Sequence, residues 1–140
     1  MKVVLGSDES NALTDAVIAD LEARGHAVQL VGPPTGDESQ WAEVGREVGE
    51  RVADGRAETG VLFCWTGTGA SIAANKVRGV RAALCTDAAT AAGARKWNDA
   101  NVLVMGLRLT SPTVAGEMLD AWFDAEADPS EKANIDRLDP

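Results

Sequence analysis

Short apolar runs alternate with helix-length amphipathic segments along the whole chain, and no other feature of the sequence constrains the fold as much. Strands that alternate with helices form mostly parallel sheets with right-handed crossovers. The sequence therefore predicts an α/β fold with a five-stranded, mostly parallel sheet that is covered by helices on both faces. The runs predicted as strands are Val3–Leu5, Ala27–Val31, Val61–Cys64, Ala82–Cys85 and Val102–Met105.

The helices are predicted from the spacing of apolar residues and from signals at their ends. The first helix carries an apolar residue at every fourth position from Leu13 to Leu21, and Gly25 suits a left-handed C-terminal cap. The second helix has the same spacing, which assigns its first apolar residue, Trp41, to the core. The starts of the fourth and fifth helices are predicted at Asp87 and at Ser111-Pro112.

Length and hydropathy restrict the class of protein. A chain of 140 residues suits one domain, so residues 1–140 are interpreted as a single domain, with a tail over 129–140 that is either a short helix or an arm. No apolar run approaches the length of about eighteen residues that a membrane span requires, and the N-terminus lacks the order of a signal peptide. We therefore expect a soluble, cytoplasmic protein with no membrane contact.

The net charge and the residue types argue against nucleic-acid binding and against metal binding. The net charge of −9 opposes binding to a phosphate backbone, so no nucleic acid is expected as a partner. The single histidine, His26, belongs to no cluster of metal-ligand types at metal-binding spacing, so no metal is expected. Cys64 and Cys85 are expected to be free thiols, and Cys85, at the end of a strand, is interpreted as a core residue.

The segment from Cys64 to Ser71 joins a predicted strand to a predicted helix and is rich in glycine and threonine. Glycines let the backbone approach a ligand closely, and the free N–H groups of a helix start favour negative charge. We therefore expect this loop to bind a small polar molecule through an anion or a developing oxyanion. Its spacing matches neither the dinucleotide-binding pattern nor the phosphate loop that ends in Lys-Ser/Thr.

Four segments carry a wider pattern: Cys-Trp-Thr-Gly-Thr-Gly-Ala-Ser-Ile-Ala-Ala-Asn-Lys over 64–76, Gly-Val-Arg-Ala-Ala over 79–83, Trp-Asn-Asp-Ala-Asn-Val-Leu over 97–103 and Gly-Leu-Arg over 106–108. Together they resemble the ribose 5-phosphate isomerase B family, which includes galactose 6-phosphate isomerase subunits. The resemblance spans residues 2 to 125, approximately. It implies a Rossmann-like α/β/α sandwich of three layers and a homodimer whose active sites take residues from both subunits, with further assembly to a tetramer left open.

The resemblance also implies an activity that needs no cofactor. The family interconverts aldose and ketose sugars, commonly phosphorylated, by moving a proton between adjacent carbons through an enediolate. The cysteine matching Cys64 is the base in many members, Thr66 assists it, and Asp8 orients the sugar hydroxyls. A helix N-terminus favours the thiolate form of a neighbouring cysteine, which suits this role, whereas a buried and inert thiol is the other interpretation of Cys64.

Further site residues follow from the same resemblance. Asn98 is assigned to polarising a substrate oxygen, while Asp99 is interpreted as a cap more readily than as an acid catalyst. The N–H groups of the loop are expected to bind the enediolate oxygen. The loop residues expected at the substrate are Trp65, Gly67, Thr68, Gly69, Ala70 and Ser71.

The sequence departs from the family where the substrate is held. Glu9 stands in place of a histidine that helps to bind phosphate, and the tail keeps little of the family's His- and Arg-rich patch, so Arg108 is the best remaining anion contact. Trp97 stands in place of the histidine credited with opening the sugar ring, and an indole N–H is a donor only. We therefore expect an acyclic or short sugar, phosphorylated or not. Alternatively, Trp97 fills an apolar gap at the dimer interface.

Other functions stay open on the sequence alone. Trp65, where the family often has glycine, and Trp97 form either an apolar wall or a narrower pocket, and both imply altered specificity. At the position of Trp41 the family often has a tyrosine near the site, which is the alternative to its assignment to the core. The chain could instead be a non-catalytic or regulatory sugar-binding member of the family, or an epimerase that uses the same enediolate. Exchange of solvent protons into the sugar separates turnover from binding, and the stereochemistry of the product separates epimerisation from isomerisation.

Overall fold

The structure, a computed structural model, describes residues 1–139. Its strands are β1 (Lys2–Ser7), β2 (Ala27–Val31), β3 (Thr59–Cys64), β4 (Ala82–Leu84) and β5 (Val102–Gly106). They form one sheet in the order β2-β1-β3-β5-β4, and every pairing is parallel. The predicted α/β class with five strands is confirmed, and the sheet is parallel throughout.

Helices connect the strands as predicted. They are α1 (Ala12–Ala23), α2 (Trp41–Ala53), α3 (Thr68–Asn75), α4 (Ala88–Asn98), α5 (Pro112–Asp124) and the short α6 (Lys132–Ile135). Asp87 and Ser111 precede α4 and α5, and their side chains accept the N–H groups of Thr90 and Val114. Both predicted helix starts are therefore confirmed, and the tail contains a short helix.

The helices cover the two faces of the sheet and complete the predicted three layers. Alternate residues of a strand point to opposite faces, so β1 places Val3 and Leu5 against α1 and α5 but Val4 against α2. Helices α1, α4 and α5 pack on the first face, and α2 and α3 pack on the second. Cys85 is buried on the first face, where burial raises its pKa to about 12, so its interpretation as a core residue is confirmed.

The edge strand β4 is one residue shorter than predicted: Leu84 is the last residue paired with β5, and the N–H of Cys85 makes the final bond, to the carbonyl of Val104 at 3.0 Å. The side chain of Asn75 continues the hydrogen bonding on one side of this strand: its Nδ2 donates to the carbonyl of Ala82 at 2.9 Å, and its Oδ1 accepts the N–H of Ala82 at 2.8 Å. This amide fixes the end of α3 to the start of β4.

Left-handed residues end three helices, and Gly55, which follows α2, has a φ of +82°. Gly25 follows α1 with a φ of +88°, as predicted, and Asp99 caps α4 with a φ of 44°. This position at the end of α4 confirms the interpretation of Asp99 as a cap, and its carboxylate also pairs with Arg81 and Arg95.

Within the described part of the chain, no helix combines the length and the apolar character that crossing a membrane requires.

Candidate active site

The carboxyl ends of the three central strands carry most of the predicted site residues. The register places Ser7 of β1 opposite Phe63 of β3, and Cys64 of β3 opposite Gly106 of β5. Strands lie about 4.8 Å apart in a sheet, so the residues that follow these three strands are neighbours. The structure thus brings together the segments that hold Asp8 and Glu9, Cys64 to Ser71, and Arg108.

The topology predicts a crevice at this edge, because the chain leaves the neighbouring strands β1 and β3 in opposite directions. After β1 it crosses to the face covered by α1, and after β3 it crosses to the face covered by α3. In open parallel sheets, ligands bind in the crevice that such a reversal leaves. The location of the predicted loop therefore suits a binding site.

Helix α3 begins at this crevice without a side-chain cap. Gly67 stands at its N-cap position with a φ of 77°, and no side chain accepts an N–H of its first turn. In contrast, α1, α4 and α5 are each capped by an asparagine, aspartate or serine side chain. Ser71 donates its N–H to the carbonyl of Gly67 at 3.1 Å. Within residues 1–139 the N–H groups of Thr68, Gly69 and Ala70 have no such acceptor, and these groups can bind an anion.

The loop before α3 is tightly joined to the end of β5. The N–H groups of Leu107 and Arg108 donate to the carbonyls of Cys64 and Trp65, each at 2.9 Å. A Cβ on Gly106 would lie 2.9 Å from the carbonyl oxygen of Thr66. These contacts hold the loop in place before any ligand binds, and they bring the Arg108 backbone next to it.

Cys64 is the last residue of β3, and its side chain points to the layer of α2 and α3. It packs in the cluster that also contains Val44 and Ala70, and only 5% of the residue is exposed. The exposed hydroxyls of Thr66 and Thr68 lie 2.8 Å apart within the same loop. The loop thus carries a buried thiol at its start and two paired hydroxyls at its surface.

Asp8 and Glu9 add negative charge to the neighbouring strand end. The Oδ1 atom of Asp8 is buried and has no hydrogen-bond partner within residues 1–139. Burial, and then the charge of Glu9, raise the pKa of Asp8 above its ordinary value. Glu9 is exposed, and its own N–H donates to the Ser7 hydroxyl at 3.2 Å. A ligand that donates a hydrogen bond to Asp8 would satisfy this oxygen.

Two indoles border the loop, and one of them was misassigned from the sequence. Trp65 is 53% exposed, in agreement with a place at the substrate. The assignment of Trp41 to the core is wrong: the residue is 45% exposed, and its ring lies against Gly69. Trp41 shares the apolar spacing of α2, but it is the first residue of the helix, one turn before the buried Val44. The spacing does not show its contact with Gly69, whereas the resemblance, in which a tyrosine near the site often holds this position, indicates this region.

Trp97 and Asn98 lie at the opposite end of the sheet from Cys64 of the same chain. They end α4, three residues before Asn101, which bonds to the starts of β3 and β4 through Gly60 and Arg81. From there β5 runs four residue steps, about 13 Å, before it reaches the level of Cys64. The chain therefore does not by itself bring Asn98 to the thiol.

The surface around Trp97 is apolar and open. The indole is 54% exposed and lies over Gly93, one helical turn earlier. It lines a cavity of about 640 Å³ together with Asn98 and the edge strand residues Ala82, Ala83 and Leu84.

Within residues 1–139, no group of three or more His, Cys, Asp or Glu side chains lies close enough to hold a metal ion.

The structure is an α/β/α sandwich with a parallel sheet, and its central strands end at the residues predicted to form a small-molecule site. A family model described as Ribose/Galactose Isomerase matches residues 3–139. The chain therefore belongs to the ribose/galactose isomerase family, and it is a sugar isomerase of the aldose–ketose class.

Individual relatives cover nearly the whole chain. It is 37% identical over 128 residues to a D-erythrulose-4-phosphate isomerase of Pectobacterium atrosepticum, covering 90% of this chain and 84% of that protein. It is 35% identical over 126 residues to ribose-5-phosphate isomerase B of Escherichia coli, covering 89% and 85%. The solved structure of ribose-5-phosphate isomerase B from Clostridium thermocellum superposes with a TM-score of 0.92 at 34% identity, covering 99% of this chain and 95% of that one.

Proposed function

We propose that this protein interconverts a four-carbon aldose and its ketose through an enediolate, with Cys64 as the base. The observation that carries the proposal is the uncapped start of α3, where three N–H groups without acceptors adjoin the strand end that bears Cys64. Preorganised amides of this kind stabilise an oxyanion as it forms, and the loss of one such donor typically costs about 3–4 kcal/mol of transition-state stabilisation.

The thiol of Cys64 removes a proton from one substrate carbon and returns it to the other, so the transfer between the carbons balances. The Cys64 thiolate takes the proton from the carbon next to the carbonyl, which leaves an enediolate whose oxygen accepts hydrogen bonds from the α3 amides. The thiol then returns the proton to the former carbonyl carbon. The hydroxyls of Thr66 and Thr68 are 2.8 Å apart and suit the accompanying transfer between the two substrate oxygens. Asp8 receives a hydrogen bond from a sugar hydroxyl at its unpartnered oxygen.

Because residue 97 is a tryptophan, the proposal favours a sugar that cannot form a ring and so exists only as an open chain. Indole has no basic nitrogen and cannot move a proton to or from a ring oxygen. A four-carbon sugar substituted at C4 has no C4 hydroxyl with which to close a five-membered ring, so no ring has to be opened. The P. atrosepticum relative is named for such a compound, D-erythrulose 4-phosphate.

The charges at the crevice limit how the anionic group is held. Glu9 adds one negative charge, which opposes a phosphate by about 1 kcal/mol per charge at 4 Å in water and by more in a closed site. Arg108 is exposed, follows β5 and forms no ion pair within residues 1–139, so its guanidinium is free to bind the substrate's phosphate. We therefore place the anionic end of the substrate toward Arg108 and away from Glu9.

Two copies of the chain complete the site. Asn98 lies at the far end of the sheet from its own Cys64, so it serves catalysis only when it reaches the crevice of a second copy. The exposed surface of Trp97 and Leu84 beside Asn98 supplies apolar area for such a contact. We propose a homodimer with shared sites, in the reducing environment of the cytoplasm, where the two free thiols persist.

The activity is tested by following proton exchange in D₂O with D-erythrulose 4-phosphate, ribose 5-phosphate and unphosphorylated D-erythrulose. We expect deuterium to enter the first compound with turnover and the other two to react more slowly. Cys64→Ala should lower kcat by about 10²–10⁴-fold, the usual range for a lost general base. Cys85→Ala is the matched control, because that thiol lies on the opposite face of the sheet. Full activity of Cys64→Ala would remove Cys64 from its role.

The shared site is tested by mixing two inactive variants, Cys64→Ala and Asn98→Ala. Random exchange of subunits creates heterodimers with one intact and one doubly altered site, and about one quarter of the wild-type activity should return. If a dimer forms but mixing restores no activity, Asn98 does not act across the interface. A monomer in sedimentation would refute the shared site altogether.

A further inference from the structure

Helix α2 approaches α3 unusually closely, because it presents glycines to it. Gly45 and Gly49 are one turn apart on α2. A Cβ on Gly45 would lie 2.8 Å from the carbonyl oxygen of Ala70, and a Cβ on Gly49 would lie 3.1 Å from Val77. The two helices therefore pack backbone against backbone, and the position of α3 is set by α2.

Trp41 occupies the corresponding position one turn before Gly45, at the first residue of α2. Its indole lies against Gly69, where a Cβ would come within 2.8 Å of Cε3, 3.0 Å of Cζ3 and 3.1 Å of Cδ2. Three ring atoms thus cover the α-carbon of Gly69, whose N–H is one of the groups without an acceptor at the start of α3.

The backbone conformation gives no reason for glycine at position 69. Gly69 is not among the glycines with positive φ, and it is the second residue of a helix, where alanine is intrinsically more favourable. The three nearest atoms that a Cβ at this position would meet all belong to the Trp41 ring. The indole can therefore occupy its place because residue 69 has no side chain.

We infer that Trp41 is a positioning residue: its indole holds the Gly69 peptide in the orientation in which its N–H meets the developing oxyanion. This inference rests on the proposed enediolate chemistry, and it adds a residue that touches the loop without taking part in proton transfer. The indole is 45% exposed, so the part of the ring that does not cover Gly69 is in contact with solvent.

The test is a double-mutant cycle of Trp41→Ala and Gly69→Ala. In Gly69→Ala alone, the added methyl group collides with the indole of Trp41 and should displace either the indole or the loop. In the Trp41→Ala background the same methyl group has room, so the double variant should be more stable and more active than Gly69→Ala. Gly116→Ala is the matched control, because Gly116 also lies within a helix and its nearest neighbour would be the flexible Asp20 carboxylate at 3.4 Å. That control should be neutral or raise Tm.

Thermal unfolding and amide hydrogen exchange at Gly69 read out this pairing without any substrate. We expect faster exchange at Gly69 in Trp41→Ala and near-normal exchange in Trp41→Phe, which keeps a six-membered ring against the glycine. If Gly69→Ala lowers stability equally with and without the indole, the pairing is refuted, whatever the reaction proves to be.

Steady-state kinetics on whichever sugar the wild-type protein isomerises then test the positioning role. A misplaced amide weakens transition-state binding more than substrate binding, so Trp41→Ala should lower kcat by about 10–100-fold with a much smaller change in KM. Trp41→Phe should recover most of that loss. A change confined to KM would assign the ring to substrate binding alone and overturn the positioning role. If the wild-type protein isomerises no sugar, the proposed function fails, while the exchange measurements still decide the pairing.

Discussion

Substitution of Gly67 by alanine tests whether the loop is packed as closely against the sheet as the structure shows. Gly67 has a φ of 77°, in the left-handed region that residues with a Cβ disfavour. A Cβ there would lie 2.5 Å from Cδ1 of Leu84, and 3.2 Å from both the backbone nitrogen of Gly106 and the carbonyl carbon of Met105. The substitution therefore combines a backbone cost with a steric cost.

The two costs have known sizes. A left-handed conformation costs a residue with a Cβ about 1–2 kcal/mol, and overpacking by one methyl group in a closed environment costs about 1–3 kcal/mol. Together they lower the free energy of unfolding by about 2–5 kcal/mol. At an unfolding entropy of about 0.3 kcal/mol/K for a chain of this length, Tm should fall by about 7–17 °C.

Gly25→Ala separates the two contributions. Gly25 has a similar φ of +88°, but a Cβ there would meet nothing within 4 Å, so only the backbone cost applies. Its Tm should fall by about 3–7 °C. Calorimetry of both variants, and of Gly67→Ala combined with Leu84→Ala, measures the steric part directly. Equal losses of Tm for Gly67→Ala and Gly25→Ala would refute the close approach of the loop to Leu84 and β5.

Three further predictions follow from the site and its support. Because the pKa of Asp8 is raised in the folded protein, ionisation of Asp8 destabilises the fold as pH rises through that pKa. The gain in stability of Asp8→Asn over wild type should therefore be larger near pH 7 than near pH 3, and the variant should lose activity. Denaturant titrations at the two pH values measure the difference. Trp97→His should raise turnover of ribose 5-phosphate relative to D-erythrulose 4-phosphate, and equal changes for both sugars would contradict the ring-opening argument. Asn75→Ala loses both bonds to Ala82 and should cost about 1–2 kcal/mol in urea unfolding, whereas exposed Asn134→Ala should change stability by less than about 0.5 kcal/mol.

The fold could be predicted because its signals are local. The predicted strands are apolar runs bounded by turns, and helix starts such as Asp87 and Ser111 bond to the backbone within three residues. These signals depend on neighbours in the sequence, so they survive into the structure. The end of β4 was predicted one residue too late, because the buried Cys85 continues the apolar run although Leu84 is the last residue paired with β5.

The site could be predicted only in the part that lies on one loop. The segment from Cys64 to Ser71 is continuous, and its chemistry is visible in its residue types. The separation of Asn98 from Cys64 follows from the direction of α4, which runs back along the sheet, and spacing in the sequence does not show it. Trp41 was assigned to the core because it shares the spacing of the buried Val44 and Val48, and only the packing of α2 on α3 reveals that its first turn covers Gly69.

Features that weaken the fold gather around one crevice. Helix α3 lacks the cap that α1, α4 and α5 possess, Gly67 and Gly69 occupy positions where glycine gives no side-chain packing, and an oxygen of Asp8 is buried without a partner. A Ser, Asp or Asn at the N-cap ordinarily stabilises a helix by about 1 kcal/mol. Position 67 is closed to such a residue, because its φ of 77° and the distance of 2.5 Å from a Cβ to Cδ1 of Leu84 favour glycine. The close packing of the loop on Leu84 and β5 therefore also leaves the first N–H groups of α3 without a side-chain acceptor, and an oxygen with negative charge from outside the chain can bind there.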